Sequence, residues 1–153
     1  MKIEFEVKAT GQIVINTLVA YGFENAPGAT GTVELLNDDI RSVIAELNAD
    51  RELTGKNYEC TLIHAPKGLA AQKLLVVGGG KKNKFDEHHL RRLVGAAARY
   101  LRGRGIREFA WIVDPKAMEG YGVQAVVEGL ILADYDADRY RTERENEKSI
   151  LDF

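Results

Sequence analysis

Three glycines followed by two lysines are the residues of this chain whose types and spacing best suit chemistry. The set is Gly78, Gly79, Gly80, Lys81 and Lys82, directly after the apolar run Lys73–Val77. Backbone amides and lysines at such a strand end can hold an anion. A dinucleotide loop requires glycine where Asn83 stands, and a Walker loop requires Ser or Thr after its lysine, so neither phosphate fingerprint fits. The run predicts an anion loop or, with no ligand, a tight turn.

The other residue types used in catalysis and metal binding are not suitably spaced. His88 and His89 are adjacent, so on a helix their side chains point about 100° apart. His64 has no cysteine or histidine at metal-ligand spacing, and Ser42 lies in no Gly-x-Ser-x-Gly motif. We therefore expect no catalytic residue, no cofactor site and no metal ligand in this chain. Cys60, the single cysteine, is expected to be a buried reduced thiol.

Six arginines form the densest positive cluster: Arg91, Arg92, Arg99, Arg102, Arg104 and Arg107. Aromatic stacking partners are scarce around them, and acidic residues flank them, which favours a solvated outer face over a nucleic-acid patch. A subunit interface is a further alternative, since arginine is enriched in such surfaces. The formal charge of −2 results from 21 basic and 23 acidic side chains, so no global field favours nucleic acid or an anionic membrane.

The strands that must position these residues are predicted from apolar periodicity. Ile3, Phe5 and Val7 alternate with charged residues, which is typical of a strand with one wet face. Ile13 to Ala20 is nearly continuously apolar and predicts an inner strand. Further strands are predicted at 58–63, 73–77 and 109–113, and residues 24–37, with proline and glycine, are predicted to be a long loop.

Three helices are predicted between and after these strands. Asn37 or Asp38 can cap the first and Asp86 the second. The second has an inward stripe of Leu90, Leu93, Val94, Ala97 and Leu101, and the third is marked by Val123, Val126, Val127, Leu130 and Ile131. Strands that alternate with helices predict an α/β fold, with a mixed, mostly parallel sheet between helical layers. With 153 residues and no apolar run of the ~20 residues that span a bilayer, we expect one cytoplasmic domain.

Several motifs taken in order resemble the N-terminal domain of the leucyl (cytosol) aminopeptidase family. They are Leu53-Thr-Gly-Lys56, Gly68-Leu-Ala-Ala71, Leu74-Leu-Val-Val-Gly78, Gly95-Ala-Ala-Ala98, Val127-Glu-Gly-Leu130 and Asp138-Arg-Tyr-Arg-Thr142. The resemblance implies a macro-domain-like three-layer sandwich over residues 1–142, with 143–153 as a charged exit segment or the start of a linker strand.

The same resemblance implies a division of labour. In the family, a larger catalytic domain with two divalent metal ions, zinc or manganese, releases N-terminal amino acids from peptides, and the N-terminal domain contributes to assembly of a homo-oligomer. This chain lacks that catalytic domain, so we expect it to be inactive alone, with the catalytic domain or other subunits as its partners. The alternative is a stand-alone macro-like module that binds ADP-ribose or another phosphorylated small molecule through residues 78–82 and the loop near Gly28 to Gly31.

Overall fold

The structure is a computed structural model, and it describes residues 1–114, 116 and 122–135. Along these residues the strands and helices are β1 (Thr17–Gly22), α1 (Asp38–Ala49), β2 (Cys60–His64), β3 (Lys73–Gly78), α2 (Glu87–Gly103), β4 (Phe109–Trp111) and α3 (Gly122–Asp134). Short 3-10 turns include Gly31–Leu35 and Lys82–Lys84. None of the helices in this part of the chain is long and apolar enough to cross a membrane.

The four strands form one sheet in the order β2-β3-β1-β4. β1 is parallel to both of its neighbours, β3 and β4, whereas β2 pairs antiparallel with β3 at the edge. All six residues of β1 are buried, which is why its sequence shows almost no polar alternation. The predicted mixed, mostly parallel sheet is confirmed.

Side chains from the two faces of the sheet enter separate cores, so the domain has three layers. Leu18 and Ala20 of β1 pack with Ile40 and Ile44 of α1 on one face. Val19 on the other face packs with residues of α2 and α3. Each fully buried aliphatic side chain contributes about 1.5–3 kcal/mol, so packing on both faces stabilises the central strand. The predicted sandwich is confirmed, and its likeness to macro domains stays a prediction.

Both predicted helix caps are present. The side-chain oxygen of Asn37 accepts from Ile40 N at 2.9 Å, and that of Asp86 accepts from His89 N at 2.7 Å. Each bond satisfies an amide that the first helical turn leaves without a backbone partner. The predicted inward stripe of α2 is buried at all five positions. Capping and periodicity therefore position α2 directly after the glycine run.

The predicted N-terminal strand is wrong. Residues 1–9 form no regular secondary structure, and Val7 is 86% exposed. Alternating side chains favour an extended backbone, but a strand also requires a partner for its amides and carbonyls. The inner strand was predicted to begin at Ile13. In the structure it begins at Thr17, four residues later.

The long loop between β1 and α1 is fixed to the end of β1 by two hydroxyl groups. β4 pairs with β1 only as far as Val19. Beyond that point Thr32 Oγ1 accepts from Tyr21 N at 2.9 Å, and Thr30 Oγ1 accepts from Phe23 N at 2.8 Å. Thr32 is fully buried, so its hydroxyl supplies an acceptor that water cannot replace. The loop thus completes the side of the strand that β4 leaves open.

Candidate functional site

The glycine run lies at the end of β3, where it forms a corner packed against two other segments. Gly78 N donates to Glu59 O at 2.8 Å, and Gly79 N donates to Gly22 O at 2.8 Å. Gly80 N donates to Gly55 O at 2.9 Å. All three amides of the run are therefore bonded to backbone carbonyls.

Close backbone packing explains why glycine occupies these positions. A Cβ on Gly78 would overlap the carbonyl oxygen of Lys56, and a Cβ on Gly80 would overlap the side chain of Asn57. Gly80 also has a φ of +73°, which side chains disfavour. An anion at this corner would consequently need the exposed side chains of Lys81 and Lys82 rather than the glycine amides. The anion loop stays a prediction, as does binding of ADP-ribose or a related ligand.

A carboxylate fixes the segment that covers the glycine corner. Glu59 Oε2 accepts from Thr54 N and Gly55 N, both at 2.8 Å, and from Thr54 Oγ1 at 3.1 Å. Hydrogen bonds to a charged acceptor are about twice as strong as neutral ones. The Leu53-Thr-Gly-Lys56 motif is thus a turn that supports the end of β3.

The histidines are dispersed. His89 Nε2 donates to Asn57 Oδ1 at 2.7 Å, and its ring stacks on Tyr58 with centroids 5.8 Å apart. His88 Nδ1 instead accepts from Arg91 Nη1 at 3.0 Å, and His64 ends β2. Among the residues that the structure describes, no three His, Cys, Asp or Glu side chains converge to hold a metal ion. His89 thus tethers the segment over the glycine corner to α2.

An aromatic cluster, which the sequence patterns did not indicate, lies at the carboxyl end of β1. Tyr21 stacks on Phe85 at 5.2 Å and on Trp111 at 6.2 Å between centroids, while Phe23 meets Phe85 edge to face at 4.9 Å. Burial, and then the negative charge of Asp114, raise the pKa of Tyr21 to about 12. Open α/β sheets usually bind ligands in this crevice, and here aromatic rings occupy part of it.

The sequence contains one indication of this cluster, which is that Tyr21 and Phe23 are aromatic and two residues apart. Trp111 joins them because β4 lies beside β1, with Trp111 in register with Val19. That pairing joins residues about ninety positions apart, and single-segment periodicity carries no information about it.

The arginines do not form one patch. Arg91 Nη2 pairs with Glu87 Oε1 at 2.9 Å and with Glu128 Oε2 at 2.6 Å, so it joins α2 to α3. Hydrogen bonds from Gln124 and then from Arg91 hold the pKa of Glu128 below its ordinary value of 4.5. Arg104 lies over the ring of Tyr100, 4.1 Å from its centroid. These two arginines have separate structural contacts.

Cys60 is half-buried near the start of β2. Burial raises the pKa of its thiol to about 11, although the positive charge of Arg104 acts in the opposite direction. Because the thiolate is the reactive form, this environment keeps the sulfur unreactive at neutral pH. The thiol is thus less enclosed than predicted, but it is protonated.

The fold and the candidate site define an α/β sandwich domain in which loops and aromatic side chains pack the carboxyl end of the sheet. A family model described as "Cytosol aminopeptidase family, N-terminal domain" matches residues 19–144 of the chain. The chain therefore belongs to the cytosol aminopeptidase family, as its N-terminal domain, and the predicted resemblance is confirmed.

Curated relatives agree with this assignment. The chain is 36% identical to a probable cytosol aminopeptidase of Solibacter usitatus, over 99% of this chain and 29% of the relative. It is 33% identical to one of Acidobacterium capsulatum, over 94% of this chain and 29% of the relative. The chain thus spans less than a third of the length of these relatives. The proposed domain end at 142 lies outside the described residues and stays a prediction.

Proposed function

We propose that this chain is the non-catalytic N-terminal part of a cytoplasmic metallo-aminopeptidase and that it acts in assembly. The family match over residues 19–144 carries this proposal. The relatives, named cytosol aminopeptidases, are more than three times as long, which leaves room for a separate catalytic domain.

In the intact enzyme, release of N-terminal amino acids from peptides would be the work of that other domain. Two divalent metal ions there, zinc or manganese, would supply an activated water. The described side chains of the present chain do not fit such a centre, because no group of three potential ligands converges among them. We therefore assign no step of the reaction to these residues.

The outer face of α3 supports a role in assembly. Ile131 and Leu132 near the end of α3, with Tyr135 directly after it, are 53%, 65% and 65% exposed. Adjacent exposed apolar side chains mark surfaces that other protein covers. We assign this face to contact with the catalytic domain or with another subunit of a homo-oligomer.

A comparison of two proteins tests the proposal. One is the 153-residue chain, and the other is this chain joined to the catalytic domain of the Solibacter usitatus relative. We expect the fusion, supplied with zinc or manganese, to release leucine from leucine amide, and the chain alone to release none. Hydrolysis by the purified chain that persists through further purification would contradict the proposal.

A variant of α3 tests the assembly role separately. Leu132→Glu should reduce the oligomeric mass of the fusion in light scattering and leave the circular dichroism of the isolated chain unchanged, because the side chain is exposed. Ser42→Glu, on an exposed polar position of α1, is the matched control for the added charge. An unchanged mass for Leu132→Glu would refute the assignment of this face.

A further inference from the structure

A positively charged cleft opens beside the edge of the sheet, away from the glycine corner. Its volume is about 390 Å³, and it is lined by Leu62, His64, Lys73, Tyr100, Arg104 and Ile106. It lies between the strands β2 and β3 and the C-terminal end of α2. The carboxyl end of β3, with the glycine run, is at the opposite end of that strand.

Strand register brings two of the basic residues together. His64 and Lys73 are direct partners in the antiparallel pairing of β2 with β3. Residues that face each other in such a pair project on the same side of the sheet, with Cβ atoms about 4.5–5.5 Å apart. Leu62 and Leu75 share that side and contact the core formed with α2. The two basic side chains therefore project toward the end of α2.

Arg104 supplies the third basic group from the helix. It is the residue after the last turn of α2, and its guanidinium lies 4.1 Å from the ring centroid of Tyr100. Stacking on the ring restricts the guanidinium while leaving its N–H edge free to donate. Its charge also acts on the thiol of Cys60 at the start of β2, where it lowers the pKa against the larger effect of burial.

Among the residues that the structure describes, none of those lining this cleft carries a carboxylate. The ion pairs found among the described residues involve neither His64, Lys73 nor Arg104. Arg91 makes a clear contrast, because two glutamates neutralise it. The cleft thus combines an apolar wall of Leu62, Tyr100 and Ile106 with basic side chains that make no ion pair to any other described residue.

We propose that this cleft binds a small phosphate monoester. The phosphate would lie among His64, Lys73 and Arg104, and the organic group would pack on the apolar wall. Arginine and lysine are the usual partners of phosphate oxygens, and a dianion matches several cations better than a single carboxylate does. The volume is at the lower end of the range of small-molecule sites, about 300–1,000 Å³, which suits a compact ligand.

Titration of the isotope-labelled chain, followed by backbone amide NMR, tests this proposal. The probes are phenyl phosphate, inorganic phosphate and benzoate, which separate the contributions of the phosphate and the ring. We expect phenyl phosphate to shift the amides of residues 60–64, 73 and 100–106 and to bind about tenfold more tightly than benzoate, since a second charge adds charge-assisted hydrogen bonds. Inorganic phosphate should shift the same amides at higher concentration.

Matched variants locate the site. Lys73→Gln and Arg104→Gln should each weaken phenyl phosphate about tenfold, the effect of one lost charge-assisted hydrogen bond. Lys82→Gln, which removes a lysine at the glycine corner, should change the affinity less than about twofold. Unchanged circular dichroism would confirm that each variant is folded.

Three outcomes would overturn the proposal. One is shifts confined to residues 78–84, which would place the anion at the glycine corner. Another is equal affinity for benzoate and phenyl phosphate, which would indicate a carboxylate site. The third is an affinity that survives both Lys73→Gln and Arg104→Gln, which would show that the cleft is not the binding site.

Discussion

Gly129 sets how closely α3 approaches α2, and substituting it gives a sharp test of this packing. A Cβ at position 129 would lie 2.5 Å from Arg91 O and 3.1 Å from Val94 Cβ. Gly103, the last residue of α2, is the matched control because a Cβ there would meet nothing within 4 Å. The two substitutions Gly129→Ala and Gly103→Ala add the same methyl group to a helix.

The expected effects have opposite signs. Replacing a helical glycine with alanine gains up to about 1 kcal/mol, and about 0.5 kcal/mol at a helix end. Forcing a methyl group into a packed interface costs about 1–3 kcal/mol, and here the nearest atom is a backbone oxygen that cannot rotate away. Gly103→Ala should therefore stabilise the domain by about 0.5 kcal/mol. For Gly129→Ala the backbone contact puts the cost in the upper part of that range, about 2–3 kcal/mol, so the net loss after a helical gain of about 1 kcal/mol should be about 1–2 kcal/mol.

Urea unfolding followed by far-UV circular dichroism measures both effects. With a slope of about 2 kcal/mol/M, Gly129→Ala should lower the midpoint by about 0.5–1 M. Gly103→Ala should raise it by about 0.25 M. If Gly129→Ala raised the midpoint as Gly103→Ala does, the close contact between the helices would not exist in solution.

Three further predictions concern the loop, the thiol and the contact between α2 and α3. Thr32→Val should cost about 1–3 kcal/mol in the urea assay, because the amide of Tyr21 loses a buried acceptor; a cost below about 0.5 kcal/mol would contradict the bond. With a pKa near 11 instead of the ordinary 9.0, Cys60 should react with iodoacetamide at pH 8 about a hundredfold more slowly than in the unfolded chain, and equal rates would refute its burial. The lowered pKa of Glu128 contributes stability that is complete above pH 4.5 and is lost as the pH falls through the folded pKa. Glu128→Gln should therefore be less stable than the parent above about pH 5 and approach it at lower pH, whereas a difference that persists to about pH 3 would exclude this linkage.

Features of the fold that depend on neighbouring residues could be predicted from the sequence. Asn37 and Asp86 cap their helices as expected, because capping requires only a side chain and an amide three residues later. The inward stripe of α2 follows from the same local periodicity. The mostly parallel sheet followed from the alternation of strands with helices.

Features that depend on distant pairing could not be predicted in this way. Ile3, Phe5 and Val7 have the pattern of a strand, but the pattern does not provide a partner strand. The glycine run was recognised as a strand exit, yet the carbonyls that accept from its amides come from two other segments, one at Gly22 and one at Gly55 to Glu59. The basic cleft was missed for the same reason, since strand pairing and helix packing, not sequence spacing, bring His64, Lys73 and Arg104 together.

The hydroxyls of Thr30 and Thr32 also determine where a further strand can pair with this sheet. They occupy the amides of Tyr21 and Phe23, so an incoming peptide finds no donors there to template an added strand. Widening of the sheet is thereby restricted to the outer sides of β2 and β4. Within the part of the chain that the structure describes, a neighbouring polypeptide could extend this sheet only beside β2 or beside β4.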